Sequence, residues 1–569
     1  MSSYTEFTFK RKLRSWNRKF KLWRTWLFNY FNRHLFGSWQ KLGNVRWTFA
    51  AWIFIVLVSF WGLTSQIVTL NQITSQEKPK RGGIYKEALV GQVKSLNPLF
   101  PENNATESVV SLVFSGLTKV NGNREIVSDL AEKWEVSEDR KNYTFYLRKN
   151  ATWHDGVKVT SNDIAFTVDR VQNPDTRSPY SANWNGVKYQ IIDETTIRFS
   201  LPSSYGNFLY NTTLGILPKH RLDSVASSNL RSYEFNQRPI GTGPYKIDLL
   251  EVDSSAINLK AYEKYYIQEP YISEVIFALF QDSKEAIDSL IRKQVDAVSQ
   301  VPPEDVSTVE KIQGINDYRI GLPAYVGAFF NTKNSPMNNL DFRKALALST
   351  DREGIVKNQL YSEGSVAYYP IPAGFVGFNP GAEKYQLNID KAKEFYANSK
   401  VSNGTNLRLV TLDSAQYKLV ANKLAEQWRK LGVNIEVITA DISNLQQNYI
   451  RSRNYDILLY GQNIGIDSDV YSFWHSSQIN DPGLNISNYK NADADKFLEA
   501  GRLAKDQAFK ASRYSSFVDI WSKDVPAVII YSPYYNYAQS DRVRGFDAKK
   551  IAEPSNRFYN IYNWYLLSN

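Results

Sequence analysis

Three hydrophobic patterns divide the chain. The first is unbroken: residues 47–76, WTFAAWIFIVLVSFWGLTSQIVTLNQITSQ, carry no charge, and 49–68 are twenty mostly apolar positions. A helix rises ~1.5 Å per residue, so about 20 residues cross a ~30 Å hydrocarbon layer with every amide bonded internally. The pattern predicts a transmembrane helix over 47–70, with Trp47 at its border. The second pattern precedes it. Phe9, Leu13, Trp16, Phe20, Trp23, Leu27 and Phe31 recur every three or four residues, on one face of a helix whose remainder is rich in Lys and Arg. Such a face suits a helix lying on an anionic inner leaflet; a partner-binding helix and an unstructured tail are the alternatives.

The third pattern fills the rest, where helical and strand periods alternate. Tyr143, Phe145 and Leu147 share one side of a strand, and residues 160–163, TSND, open a helix before an apolar run. Residues 239–245, PIGTGPY, are too rich in Gly and Pro for anything but a rigid loop. Residues 284–297 and 341–361 read as amphipathic helices. Further on, 407–412 is a strand, and Tyr417, Val420, Leu424, Trp428 and Leu431 stripe the helix that follows. Gly432 stops that helix, Val433, Ile435 and Val437 alternate in the next strand, and a polar-faced helix leads to the strand 456–460. A βαβαβ series implies a sheet with a parallel portion, whose ligands bind beyond the carboxyl ends of the strands. The loop 461–471, GQNIGIDSDVY, leaves that end.

Charge sets the orientation. Residues 1–46 hold eleven Lys or Arg against Glu6 alone, so this segment carries +10 of the chain's +11. Basic flanks stay on the cytoplasmic side, which places the N-terminus inside and the bulk of the chain on the extracellular or periplasmic side of the cytoplasmic membrane. The main body is close to neutral, and no nucleic-acid partner is expected for it. A cleaved signal peptide fits poorly, because the basic region and the apolar run are both too long. With no cysteine the chain has neither a lipid-attachment thiol nor a disulfide. The expected domains are a basic cytoplasmic segment 1–46, the span 47–70, a linker 71–81, and a main body long enough for two or three cores.

Reaction centres are not apparent. The four histidines, His34, His154, His220 and His475, share no metal-ligand spacing, so no metal and no cofactor is expected. Neither a nucleophile elbow nor a P-loop occurs, and no enzymatic activity is expected. A large outward-facing α/β protein with many Tyr, Trp, Asn and Gln reads as a ligand-binding protein.

Several ordered pieces carry a resemblance. Gly82-Gly83-Ile84 with Ser95-Leu96-Asn97-Pro98, the run SDLAEKWEVSEDRKNYTFYLRKNATWHDGVKVTSNDIAFT at 128–167, PIGTGPYKI at 239–247, FNTKNSPMNNLDFRKALALSTDREGIV at 330–356, LAEQWRKLGVNIEV at 424–437, YDILLYG at 455–461 and DVPAVIIYSP at 524–533 follow one another. Together they resemble the family 5 extracellular solute-binding proteins, the oligopeptide- and dipeptide-binding class that serves ABC importers.

The resemblance implies a mixed α/β (α+β) fold of two lobes, periplasmic-binding-protein-like, with a hinge and central cleft. Lobe I is 82–322 with 535–569 returning to it, and lobe II is 323–534. It implies a peptide or other small solute as ligand, and an ABC permease with its ATPase subunits as partner. In family members that take peptides, an aspartate in the loop after the DILLY-like strand pairs with the ligand amine. Here that position falls on Ile464 or Ile466, while Asp467 and Asp469 follow; they are candidate ligand contacts, or caps of the turn at Tyr471. Tyr325, Gln462, Asn463 and Trp474 are candidate cleft residues, core packing being the alternative for Tyr325 and Trp474. Trp184 is a candidate aromatic wall. A sensor signalling through the helix to a cytoplasmic partner, a receptor for a non-peptide solute, and a cell-surface hydrolase remain as alternative functions.

Overall fold

A single strand of fourteen residues, Ala527–Ser540, runs through the centre of the molecule. Its first half pairs antiparallel with Ala324–Phe330 and its second half with Ile315–Gly321, two strands separated by Leu322 and Pro323 alone. The computed structural model describes residues 23–26, 29–30, 33, 46–74, 79–203, 208–249 and 255–567. It comprises two units, Met1–Lys78 and Pro79–Asn569.

In the second unit a twelve-stranded sheet extends to both sides of the central strand. On one side the order is Ala324–Phe330, Ile457–Asn463, Asn406–Leu412, Asn434–Ala440; on the other it is Ala297–Val298, Ile84–Val90, Glu274–Phe280, Ala256–Ala261, Tyr245–Leu249. The expected βαβαβ series is present, with Asn406–Leu412 lying parallel to both Asn434–Ala440 and Ile457–Asn463. The helix between the first two is Ala415–Arg429, capped by Ser414.

Each half has its own core. On the Ala324–Phe330 strand, Val326, Ala328 and Phe330 face one apolar cluster with Trp428, and Tyr325 and Phe329 face another with Trp474 and Trp521. Period two makes this inevitable once helices cover both faces of the sheet. The other half packs Tyr85, Trp153, Phe199, Tyr537 and Trp564 into a cluster that also takes in Ile320, Tyr535 and Ile551. The Glu87 and Arg557 side chains are wholly buried there as an ion pair at 2.6 Å, and Tyr85 and Tyr537 supply further hydrogen bonds to the same carboxylate. A separate antiparallel sheet of four strands, including Asn142–Leu147, stands on this half.

Local signals explain most element ends. Thr160 and Asp163 form a reciprocal cap on Ser161–Gln172. The PIGTGPY loop lies against the end of helix Asn104–Val113, where a Cβ on Gly241 would come within 1.8 Å of the Val113 carbonyl. His154 pins that loop: the Gly241 N–H donates to Nδ1 at 3.2 Å and Nε2 lies 3.0 Å from the Gly243 carbonyl. Two helices end earlier than their apolar periods suggest. The expected helix 341–361 is Leu340–Leu348 and Arg352–Gln359, divided where Asp351 caps the Gly354 N–H. The expected helix 284–297 is Ser283–Ile291, after which Lys293 turns left-handed and residues 297–298 join the sheet.

The first unit contains one long helix, Arg46–Thr74. Over 50–66 its apolar side chains are exposed around the circumference, Trp52, Phe54, Leu57 and Trp61 among them. Among the described residues no helix is long and apolar enough to cross a membrane, so the span expected over 47–70 is not shown. Thr64, Ser65 and Gln66 follow the densest apolar run. The Thr64 and Ser65 hydroxyls turn back onto the carbonyls of Phe60, Trp61 and Gly62. The aromatic-striped helix expected in 1–46 lies outside the described residues except at 23–26, 29–30 and 33.

Candidate functional site

The two cores leave a cleft between them, and its walls touch at a few polar points. Asn463, at the end of strand Ile457–Asn463, donates from Nδ2 to the Ala552 carbonyl at 3.2 Å and holds the following turn by accepting from the Gly465 N–H at 2.8 Å. Gly465 is left-handed, and a Cβ there would lie 3.9 Å from the Tyr210 ring of the opposite lobe. Arg140, at a hairpin of the four-stranded sheet, donates to the carbonyls of Ala504 and Lys505 at 3.2 and 2.8 Å. Arg124 bonds the carbonyls of Gly321 and Ile551 and lies 4.9 Å over the Phe375 ring. Burial lowers its pKa to about 10.

Between these contacts, beside the two strand crossings, is a cavity of about 400 Å³. Arg124 and Lys550 line it from one lobe, and Phe375, Asp467 and Lys510 from the other. A second cavity, of about 210 Å³, is cut into the first lobe behind Tyr210, with Glu107, Tyr180, Trp184 and Glu553 in its wall. Both are mixed in character, with aromatic faces and a few charges, as small-ligand sites are. A third, of about 890 Å³, belongs to the second lobe alone, around Arg451 and Lys490.

Six of the seven candidate residues from the sequence fall in the second lobe. Tyr325 and Gln462 are cross-strand partners, and the buried Tyr325 hydroxyl donates to Gln462 Oε1 at 2.6 Å while accepting from Trp474 Nε1 at 3.2 Å. Burial holds the Tyr325 phenol far above its usual range, so it stays a donor. Trp474 is enclosed by Phe329 and Trp521. Asp467 pairs with Lys510 at 2.6 Å on the wall of the interlobe cavity. Asp469 is turned inward, pairing with Arg502 at 2.8 Å and accepting from the Tyr471 N–H at 3.2 Å. Asn463 alone of the six reaches the other lobe through a hydrogen bond. Trp184 ends the short helix Ser181–Trp184 in the first lobe, edge-on to Phe199 and Phe208, and lines the smaller cavity.

Several lining residues had no signal in the sequence. Glu107 reads as an ordinary first-turn acid of a helix, Glu553 lies far downstream, and Tyr180, Tyr210 and Arg124 sit in stretches without periodicity. Only the fold brings them together.

A two-lobed mixed α/β architecture with a cleft at paired strand crossings is shared with known proteins. The family model of bacterial extracellular solute-binding proteins, family 5 Middle, matches residues 125–482. The chain belongs to this family. Among curated relatives, the oligopeptide-binding protein AppA of Bacillus subtilis (strain 168) is 27% identical over 539 residues, covering 90% of this chain and 97% of AppA. The structure of AppA in complex with a nonapeptide superposes with a TM-score of 0.73 at 26% identity, over 86% of this chain and 100% of that one. The ABC transporter substrate-binding protein CtaP of Listeria monocytogenes gives 0.77 at 26%, with coverages of 86% and 100%. NikZ of Campylobacter jejuni, in complex with Ni(L-His), gives 0.72 at 25%, with coverages of 85% and 99%.

For a family 5 solute-binding protein, the matched stretch takes in Phe375 and Asp467 of the cavity wall, while Arg124, Lys510 and Lys550 lie outside it. Among the described residues no three His, Cys, Asp or Glu side chains are grouped as a metal site.

Proposed function

We propose that this protein is a membrane-anchored receptor that takes an oligopeptide between its lobes and delivers it to an ABC-type permease and its ATPase subunits. It performs no reaction of its own. The observation that carries this reading is one cavity walled from both lobes beside two strand crossings, at 321–324 and 531–535. Lobe I comprises 82–322 and 535–569, lobe II 323–534, and closure turns on the crossings. A ligand touching both walls favours the closed form by its differential affinity for it. The nonapeptide held by AppA makes peptide the first ligand to test.

Within the cleft, Asn463 and Asp467 face the ligand from lobe II, and Trp184 backs the lobe I wall. Tyr325, Gln462 and Trp474 hold the strand end that presents Asn463, and Asp469 fixes the loop through Arg502. The helix Arg46–Thr74 serves as anchor: its charge-free run and all-round apolar surface have no use in water, and its Thr64 and Ser65 hydroxyls are satisfied internally. The basic segment 1–46 then lies on the cytoplasmic side, and tethering raises the receptor's concentration beside the permease.

The test is to denature full-length protein purified in detergent, identify released small molecules by mass spectrometry, and follow with a thermal-shift screen. A released peptide ladder, or a stabilisation of about 2.7 kcal/mol at 100 times the dissociation constant, is expected. A released sugar or chelate, with indifference to peptides, would contradict the peptide assignment.

A further inference from the structure

The smaller cavity is lined by three carboxylates, Glu107, Asp129 and Glu553, against one base, Lys119. Glu107 stands in the first turn of helix Asn104–Val113, and its side chain has neither a base nor a hydrogen-bond donor among the described residues. Glu553 accepts a hydrogen bond from the Tyr210 hydroxyl at 2.6 Å and caps the short helix Pro554–Phe558. The charges facing them are Lys119 and Asp129 on the far wall. Lys119 lies 4.9 Å over the Tyr562 ring, and Asp129 accepts from the Tyr266 hydroxyl. These two offset one another, which leaves the glutamate pair uncompensated. A further polar group is unused: Thr106 lines the cavity, is wholly buried, and its hydroxyl has no partner.

We propose that this cavity receives a positively charged group of the ligand, an amino-terminal ammonium or a lysine or arginine side chain, with Glu107 and Glu553 as its counter-charge. The proposal rests on the receptor reading and specifies the ligand class. Tyr180, Tyr210 and Tyr559 supply ring faces of the kind that attract cations, and the free Thr106 hydroxyl supplies an acceptor. Tyr210, in the wall of this cavity, is the residue that lobe II approaches at Gly465. Without a cation, burial and the neighbouring Glu553 charge raise Glu107 to about 7. A bound ammonium or guanidinium displaces that proton and restores the carboxylate. Binding therefore strengthens as pH rises through 7 and releases a proton.

The experiment titrates full-length protein in detergent with Ala-Ala-Ala, acetyl-Ala-Ala-Ala, Ala-Lys-Ala and acetyl-Ala-Lys-Ala, by calorimetry in buffers of differing ionisation heat. Cation-bearing probes are expected to bind about ten- to hundredfold more tightly than acetyl-Ala-Ala-Ala, the worth of a charge-assisted bond. A terminal ammonium is the source if acetylation of Ala-Ala-Ala removes the preference, and a side chain if acetyl-Ala-Lys-Ala keeps it. In Glu107→Gln the charged-to-blocked ratio collapses and proton release at pH 7 disappears, whereas Glu107→Asp retains part of both. An unchanged ratio in Glu107→Gln, or equal binding of all four probes, overturns the proposal and leaves the peptide receptor standing. Failure of every probe to bind the unaltered protein removes both.

Discussion

The Asn463 amide and the Ala552 carbonyl meet across the cleft at 3.2 Å, one wall supplied by a central strand of lobe II and the other by the returning C-terminal segment. The same Asn463 side chain holds Gly465 in place, so one residue both shapes the loop and ties it to the opposite lobe. Asn463→Ala is expected to lose about 0.5–1.5 kcal/mol of closed-state preference, a two- to tenfold weaker ligand affinity. Small-angle scattering of the unliganded variant should give a larger radius of gyration than the parent.

The two aspartates of the loop separate by burial. Asp469 is almost fully enclosed, beside a partly exposed Arg502, whereas Asp467 and Lys510 line the interlobe cavity. Asp469→Asn is expected to cost about 1–3 kcal/mol of stability, because it removes a buried carboxylate charge that the Arg502 guanidinium and the Tyr471 N–H both bond. Asp467→Asn, at a less buried carboxylate, should cost less stability than Asp469→Asn and change ligand affinity more. Thermal melts alongside peptide titrations of both variants give the comparison.

Glu87 and Arg557 are wholly enclosed in the lobe I core. Removing one partner strands the other, so Glu87→Gln is expected to destabilise by about 3–5 kcal/mol. Chemical denaturation checks this, and the double variant Glu87→Met, Arg557→Met should recover a large part of the loss.

His154 gives a pH signature. Burial depresses its pKa from 6.5 to about 4, and its Nδ1 accepts from Gly241, so the folded state holds it neutral. Between pH 6.5 and 4 the unfolded chain binds the proton and the folded chain does not. Stability is thus fully present above 6.5 and is lost as pH falls towards 4, by roughly 3 kcal/mol. Glu107, raised from 4.5 to about 7, runs oppositely, its contribution being lost as pH rises between those values. The test is therefore a difference: melts of the unaltered protein and His154→Gln across pH 4–7 should converge on acidification.

The sequence made legible those parts of the fold that rest on local repetition. The strands and helix of 406–440 are legible because a buried parallel sheet and its covering helix impose periods of two and 3.6 on adjacent residues. The cap at Thr160–Asp163 is likewise local. The break at 349–351 was hidden, since apolar positions continue on both sides while Asp351 competes for the Gly354 N–H. Tyr325, Gln462 and Trp474 are candidate cleft residues in the sequence, but their hydrogen-bonded chain is not legible there, because it exists only where two antiparallel strands set Tyr325 opposite Gln462. Glu107 and Glu553 were missed for the converse reason. Hundreds of residues lie between them, and their proximity depends on the C-terminal segment folding back over helix Asn104–Val113.

Capture between two lobes is tested most directly by the interlobe distance. The chain has no cysteine, so Glu138→Cys and Asp493→Cys place one spin label on an exposed position of each lobe without background. Double electron–electron resonance on the full-length protein in detergent should show a distribution that shifts to shorter, narrower distances when a stabilising peptide is added. An unchanged distribution at saturating peptide would contradict the account.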